Sequence, residues 1–151
     1  MTKTKKKGKT KMKKLLILCA CGFFALAGCA GRNPPCCDRI RDDYKPVVHF
    51  AFDSATLTEQ DKHILNEIPH KIENCPELVI DIMGYTDNVG TENYNKQLGK
   101  ERAQAVQNYL THLGVSGHRV RTMSMGENDP IACNSTEEGR TQNRRAVVEF
   151  K

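Results

Sequence analysis

The feature that most constrains the fold is an apolar strand that ends in a glycine turn and leads into an amphipathic helix. Residues 78–83 are mostly aliphatic, and Gly84 follows them directly. Asp87 lies on the turn, and Arg102 lies in the helix that follows. A carboxylate and a guanidinium placed there suit a zwitterionic ligand, because one can bind an ammonium and the other a carboxylate. The alternative is that Asp87 only closes the turn and Arg102 only lies on the helix surface.

Apolar periodicity and turn residues predict the other elements. The predicted elements are a strand at 47–52, a helix from Thr58 that ends before Asn74, a strand at 78–85, a helix at 93–113, and strands at 120–125 and 145–150. The order β-α-β-α-β-β predicts an α+β fold, a two-layer sandwich with its helices on one face of a mixed sheet. Residues 126–143 form a long polar segment, which is typical of a functional loop or of one that holds a short helix.

The first 28 residues are interpreted as a bacterial export signal. Eight lysines precede an apolar run that is too short to remain in a bilayer as a spanning helix, and either Met1 or Met12 is a suitable start. The run ends with Leu-Ala-Gly-Cys at residues 26–29, which resembles the lipobox of bacterial lipoproteins. Cys29 is therefore predicted to carry the lipid. Residues 29–46 are rich in charge and proline and are predicted to be a tether with a reach of about 60 Å.

Removal of this signal reverses the sign of the net charge. The whole chain carries +5, but without the eight signal lysines 15 basic side chains face 18 acidic ones, a net charge of −3. The basic excess is therefore a targeting feature, and no nucleic-acid partner is expected.

Four cysteines of the mature chain remain without an assigned role. Cys36 and Cys37 are adjacent, which matches neither a metal site nor a redox C-x-x-C motif. An exported location favours disulfides, and Cys75 with Cys133 is one possible pair. The pairing stays open at the level of the sequence.

Enzymatic and metal sites are not indicated by any spacing in the chain. The five histidines lack H-E-x-x-H or another ligand pattern, and no nucleophile elbow is present. No spacing indicates the paired carboxylates of a glycosidase. The acidic pair Glu137 and Glu138 is interpreted as solvated. We expect no enzymatic activity, no metal and no cofactor.

The run T-D-x-x-G-T-x-x-Y-N-x-x-L-G-x-x-R-A at residues 86–103 resembles the signature of the OmpA-like peptidoglycan-binding domain. Its Leu-Gly variant is similar to that of the peptidoglycan-associated lipoproteins. The likeness covers nearly all of residues 47–150 and implies an OmpA-like domain over residues 47–151. One departure is Gly99, where many relatives have serine; it is expected to weaken a helix cap and to leave ligand contacts intact.

The resemblance implies a site for the diaminopimelate residue of peptidoglycan stem peptides. Asp87 would bind the ammonium of this residue and Arg102 its carboxylate. Thr86 and Asn95 would add hydrogen bonds, and Asp53 would add a further contact.

Arg144 or Arg145 would complete the carboxylate side. Strand alternation places Arg144 on the face of Ala146 and Val148 and favours it for this role. Arg145 is then expected to be a solvated or structural arginine.

The resemblance also implies a lipoprotein of the outer membrane, anchored through Cys29 and facing the periplasm, that holds this membrane to the cell wall. Ala30 after the cysteine points to outer-membrane sorting. Tol-Pal-type periplasmic proteins are possible partners besides peptidoglycan. The alternative is a lipoprotein whose main role is to bind another envelope protein through residues 126–143.

Overall fold

The computed structural model describes residues 35–151. Its central element is a four-stranded mixed sheet. Its strands are β1 (Val47–His49), β2 (Ile80–Tyr85), β3 (Val120–Gly126) and β4 (Arg145–Phe150), arranged in the order β1-β4-β2-β3. β2 pairs in parallel with β3 and antiparallel with β4, which in turn pairs antiparallel with β1. The predicted export signal, Cys29 and the first part of the tether lie outside the described residues.

Four α-helices accompany the sheet in the described part of the chain. They are α1 (Pro35–Asp43), α2 (Glu59–Ile72), α3 (Glu92–His112) and α4 (Glu137–Asn143). A capping box begins α2 at the predicted Thr58: Asp61 N–H donates to Thr58 Oγ1, and Thr58 N–H donates to the Asp61 carboxylate. None of these helices is both long and apolar enough to span a bilayer.

The core lies between one face of the sheet and helices α2 and α3. Its buried side chains come from both layers: Leu65, Ile68 and Ile72 from α2, Ala103, Val106 and Leu110 from α3, and Ile80, Ile82, Ala146, Val148 and Phe150 from the sheet. These residues recur at helical spacing in the helices and at alternate positions in the strands, as each geometry requires. The predicted α+β two-layer fold with a mixed sheet is confirmed.

The segment before β1 differs from the predicted tether, because Pro35–Asp43 is helical and packs on the domain. Cys37 of α1 is buried and forms a disulfide with Cys75, which follows α2. The Tyr44 ring stacks on Phe150 at 5.6 Å between centroids. Of the α1 side chains that the structure describes, only Cys37 and Ile40 reach the core, and Tyr44 follows just after the helix, so α1 lacks the aliphatic stripe that marks α2.

The pairing of Cys75 with Cys133 is wrong. Cys75 is bonded to Cys37, and Cys133 is free and exposed. Chain spacing alone does not determine which cysteines meet, because the pairing depends on how α1 packs against the end of α2.

α3 crosses β2 with the two backbones in direct contact. A Cβ atom on Gly84 would lie 1.8 Å from the Gly99 carbonyl oxygen, and one on Gly99 would lie 2.5 Å from Ser124 Oγ. Gly99 lies in the interior of α3, where its lack of a side chain permits the helix to pack closely on the sheet. The prediction that Gly99 weakens a helix cap is therefore wrong. This contact fixes α3, and with it Arg102, against the end of β2.

Candidate functional site

A cavity of about 240 Å³ opens where the turn after β2 meets the first half of α3. We call it the Asp87 cavity. Its charged lining contains two carboxylates and two guanidinium groups, and its apolar lining includes three exposed side chains at the rim. The lining residues are Phe52, Asp53, Asp87, Val89, Gly90, Tyr94, Leu98, Arg102 and Arg144. Four of the six predicted ligand-binding residues are therefore brought together here.

Asp87 is buried and its two carboxylate oxygens have different partners. Oδ1 accepts a hydrogen bond from the Val89 N–H at 3.1 Å, which closes the turn. Oδ2 accepts one from Nη1 of Arg144 at 3.0 Å. Asp87 thus closes the turn and also faces the cavity. An ionised carboxylate has about four lone-pair sites, so this one keeps acceptor capacity for a ligand.

Arg102 is completely buried and binds three backbone carbonyls. Its Nε donates to Ser54 O at 2.9 Å, Nη1 to Tyr85 O at 2.8 Å and Nη2 to Ala51 O at 3.2 Å. Burial lowers the pKa of Arg102 to about 10, against the opposing effect of the nearby Asp87 carboxylate. The interpretation of Arg102 as a surface residue of the helix is therefore wrong. Two of its five N–H groups remain for a ligand.

Arg144 connects the Asp87 cavity to α4. Besides Asp87, its guanidinium binds Glu137 Oε1 at 2.9 Å, Thr141 Oγ1 at 2.6 Å and Phe50 O at 3.3 Å. The side chain is buried and its rotamer is held from four sides. The preference for Arg144 over its neighbour as a cavity residue agrees with its position in the structure.

Arg145 points to the other face of the sheet, as alternation along the strand requires. Its guanidinium lies 3.8 Å from the centroid of the Tyr85 ring, and Nη2 donates to Asp129 O at 3.0 Å. Burial lowers the pKa of Arg145. It is therefore a structural arginine and not a solvated one.

Asp53 and Tyr94 meet at the rim of the Asp87 cavity. The Tyr94 hydroxyl donates to Asp53 Oδ1, and this hydrogen bond is the main cause of the raised pKa of Tyr94. Asp53 has a φ of 50°, in the left-handed region that aspartate tolerates better than most residues. Tyr94 exposes 46% of its surface and neighbouring Phe52 exposes 60%, so the rim offers aromatic surface to a ligand.

Thr86 and Asn95 are buried but do not line the Asp87 cavity. Asn95 Nδ2 donates to Glu127 Oε2 at 2.6 Å, and the Thr86 N–H donates to Gly126 O at 2.7 Å. The first contact joins the start of α3 to the residue after β3, and the second joins the turn to the end of β3. Among the described residues, Thr86 Oγ1 and Asn95 Oδ1 have no hydrogen-bond partner.

Glu137 is a contributor that the sequence interpretation missed. It was expected to be a solvated loop charge, but its carboxylate binds both Arg140 and Arg144. These hydrogen bonds, that of Arg144 above all, lower the pKa of Glu137. Glu137 precedes Arg140 by three residues and Arg144 by seven, a spacing that places side chains on one face of a helix. This signal is visible in the sequence only if the short helix α4 is recognised.

Metal binding finds no support in the described part of the chain, where no three or more His, Cys, Asp or Glu side chains are grouped as a metal ion requires. The Asp87 cavity instead combines balanced charges with apolar walls. Such a surface can bind a small group that carries an ammonium and a carboxylate next to an aliphatic chain.

Comparison with known proteins places this chain in one family. The sequence pattern of the OmpA family matches residues 49–144. Peptidoglycan-binding protein ArfA of Mycobacterium bovis is 42% identical over 101 residues, which cover 67% of this chain and 31% of that protein. The peptidoglycan-associated lipoprotein of Buchnera aphidicola is 32% identical over 105 residues, 70% of this chain and 61% of the relative. The chain thus spans less than two thirds of the length of either relative.

Solved structures agree with these sequence matches. The peptidoglycan-associated lipoprotein of Burkholderia pseudomallei superposes with a TM-score of 0.67 at 35% identity, covering 70% of this chain and 89% of that one. The C-terminal domain of Helicobacter pylori MotB superposes with a TM-score of 0.64 at 25% identity, covering 70% of this chain and 84% of that one. On the family match and on these relatives, the chain belongs to the OmpA family.

Proposed function

We propose that this protein binds peptidoglycan without forming a covalent bond, by holding the zwitterionic end of a diaminopimelate residue in the Asp87 cavity. The observation that carries the proposal is the convergence of buried Asp87, Arg102 and Arg144 on one cavity with an apolar rim. The names of the mycobacterial relative and of the peptidoglycan-associated lipoproteins agree with peptidoglycan as the larger ligand.

Each part of the ligand meets a complementary part of the cavity. The ammonium binds Asp87 Oδ2, with Asp53 at the rim as a second anion. The carboxylate binds the free N–H groups of Arg102 and Nη1 of Arg144. The methylene chain packs on Phe52 and its apolar neighbours. Because the guanidinium groups are already held by protein oxygens, binding loses little side-chain entropy.

The proposed role is binding and not catalysis. The relatives named above are described by what they bind or associate with.

The proposal places the protein in the outer membrane, anchored through lipid on Cys29 and facing the periplasm. The lipobox-like residues 26–29 support this anchor. A domain that is tied to the membrane at one end and binds the wall at the other would hold the two together.

The second candidate, a protein partner bound through residues 126–143, is favoured by one observation. Ile131 in this segment exposes 60% of its surface, although Asn143 binds the backbone of Ile131 and of Ala132 and holds the segment in place. A fixed loop with an exposed apolar tip suits a protein contact. Tol-Pal-type periplasmic proteins remain the proposed class of partner.

Competition with stem peptides tests the main proposal. The full-length chain, purified in mild detergent, is bound to sacculi and challenged with a soluble stem peptide that ends in diaminopimelate, or with the same peptide ending in lysine. Lysine lacks only the carboxylate that the arginines would bind. We expect the first peptide to displace the protein and the second to do so poorly. Equal displacement by both, or by neither, would rule out the proposed recognition.

A further inference from the structure

We propose that the exposed edge of β3, together with Lys96 and Lys100 of α3, is a docking groove for an extended acidic segment of a protein partner. The segment would add to the sheet as a fifth strand. We call this surface the β3 groove. It lies apart from the Asp87 cavity, and the proposal does not depend on the function proposed for that cavity.

The backbone of β3 is available for pairing on one side. The strand has seven residues, whereas β1 at the opposite edge has three. β3 pairs with β2 alone, so within residues 35–151 no strand covers its outer side. The outer N–H and C=O groups of an edge strand are a template for another strand. At the middle of β3, Met123 exposes 44% of its surface and offers an adaptable apolar contact.

The groove beside this edge is polar and basic. It has a volume of about 390 Å³ and is lined by Asn93, Lys96, Gln97, Lys100, Thr122 and Ser124. Lys96 and Lys100 are exposed, and no described carboxylate lies within ion-pair distance of either. Ser124 Oγ donates to Lys96 O at 2.6 Å and so holds α3 beside the strand.

The other face of β3 also carries a cation. Arg121 binds Asp81 through two hydrogen bonds, yet its side chain remains 62% exposed. Because Asp81 neutralises Arg121, the unpaired positive charge beside the open edge is that of Lys96 and Lys100. This charge distribution selects an acidic partner.

The spacing of the lysines matches an extended chain. Lys96 and Lys100 are one helical turn apart, which separates them by about 6 Å along α3. Alternate side chains of a strand are separated by about 7 Å. A partner strand with acidic residues at alternate positions would therefore place one carboxylate near each lysine.

A second copy of the chain is a poorer occupant than an acidic segment. Pairing β3 with β3 of another molecule would bring two sets of Lys96 and Lys100 together. Like charges at a strand edge oppose such pairing, which is a common means of preventing aggregation. The same charges attract an acidic strand.

A peptide-binding measurement tests the inference. The full-length chain in mild detergent is titrated into a fluorescent peptide that alternates glutamate and valine, and binding is followed by anisotropy at low salt. One control peptide has lysine in place of glutamate. The other keeps the glutamates but has proline in place of valine, so it cannot pair with a strand edge. We expect binding of the first peptide and of neither control.

Charge variants locate the binding surface. The double change Lys96→Gln with Lys100→Gln should weaken binding by about twofold to thirtyfold, the range for two exposed ion pairs. The matched control, Lys45→Gln with Lys62→Gln, removes the same charge away from the groove and should leave binding unchanged. Thr122→Glu, which adds a negative charge inside the groove, should also weaken it.

Three results would overturn the inference. The alternating peptide could fail to bind at low salt. The proline peptide could bind equally well, which would mean charge attraction without strand addition. Sedimentation could show a dimer of the wild-type chain that the groove variants dissociate, which would make a second copy the occupant.

Discussion

The Asp87 cavity and the β3 groove both present positive charge, but they hold it in opposite ways. In the cavity, Arg102 and Arg144 are buried and each is bound to at least three protein oxygens. In the groove, Lys96 and Lys100 are exposed and lack a carboxylate partner among the described residues. Fixed guanidinium groups favour one ligand geometry, whereas mobile ammonium groups attract over a distance and are screened by salt. The first surface suits recognition of a small ligand, and the second suits capture of a charged chain.

The largest effect should come from Arg102→Ala, which would break the cavity as a structure. Removal of the guanidinium leaves three carbonyls without their donor, of which Tyr85 O is buried and the other two are partly buried. Each such loss costs about 1 kcal/mol. We expect the free energy of unfolding to fall by at least about 3 kcal/mol, measured by urea denaturation. Lys100→Ala, two residues earlier on an exposed face of the same helix, serves as the control and should be nearly neutral. An unchanged stability of Arg102→Ala would mean that its carbonyl contacts are not structural.

Asp87→Asn should separate ligand binding from stability. The amide oxygen can still accept the Val89 N–H, so the turn should persist, but the charge that pairs with Arg144 and with the ligand ammonium is lost. We expect sacculus binding to weaken roughly thirtyfold or more. The loss of thermal stability should be smaller than that caused by Arg102→Ala.

Asp42→Asn provides the control for this change, because Asp42 is exposed on α1, away from the cavity lining. Sacculus binding by Asp87→Asn at the wild-type level would place the ligand elsewhere in the molecule.

Glu137→Gln should have a moderate effect that depends on pH. The Arg144 and Arg140 hydrogen bonds lower the pKa of Glu137 below its ordinary value of 4.5 in the folded protein. The resulting stabilisation is therefore present above pH 4.5 and is lost as the pH falls through the lower, folded value. We expect wild-type stability to decline more steeply below pH 4.5 than that of the variant. Glu138→Gln, which alters an adjacent residue without an ion pair in the described structure, should retain the wild-type profile.

The smallest effect should be that of salt on the cavity. At an ionic strength of about 1 M the Debye length is about 3 Å, so attraction by exposed lysines is almost abolished, whereas buried pairs are screened much less. We expect binding of a diaminopimelate-ending stem peptide to change little and binding of the acidic peptide to be lost. If high salt abolished binding of both peptides, the two surfaces would not differ as their burial indicates.

Those parts of the fold that follow from periodicity were predictable. β4 occupies residues 145–150 as predicted, and α3 differs from its predicted limits by one residue at each end. β1 is shorter than predicted, because its pairing with β4 ends at His49 and the chain turns at Asp53, whose φ is positive. α1 escaped prediction because its contacts with the domain depend on a disulfide and on one tyrosine stack.

The candidate site was predictable where the residues carry charge on a recognised motif. The family resemblance assigned Asp53, Asp87, Arg102 and Arg144 to one site, and all four line the cavity. That they bind a ligand stays a prediction. The binding of Arg102 to three carbonyls was not predictable, because backbone acceptors have no signature in a sequence. The buried contacts of Thr86 and Asn95 depend in the same way on the end of β3 and the residue after it.

The bridge between Cys37 and Cys75 has a mechanical consequence if Cys29 carries the lipid. Five residues separate Cys29 from the start of α1, so the link to the membrane reaches at most about 20 Å instead of the 60 Å of a longer free chain. A thermal displacement of the membrane against the wall would then pull on α1 directly.

The disulfide determines which part of the domain carries this tension. Force that enters at Cys37 passes through the covalent bond to Cys75, and residues 38–74 are excluded from the stretched path. The residues that bear no tension include β1, whose short pairing with β4 would otherwise be the first to separate under force. From Cys75 the chain continues through β2 to Asp87 in the cavity. The load between lipid and wall would thus travel along a central strand of the sheet, with its pairing intact on both sides.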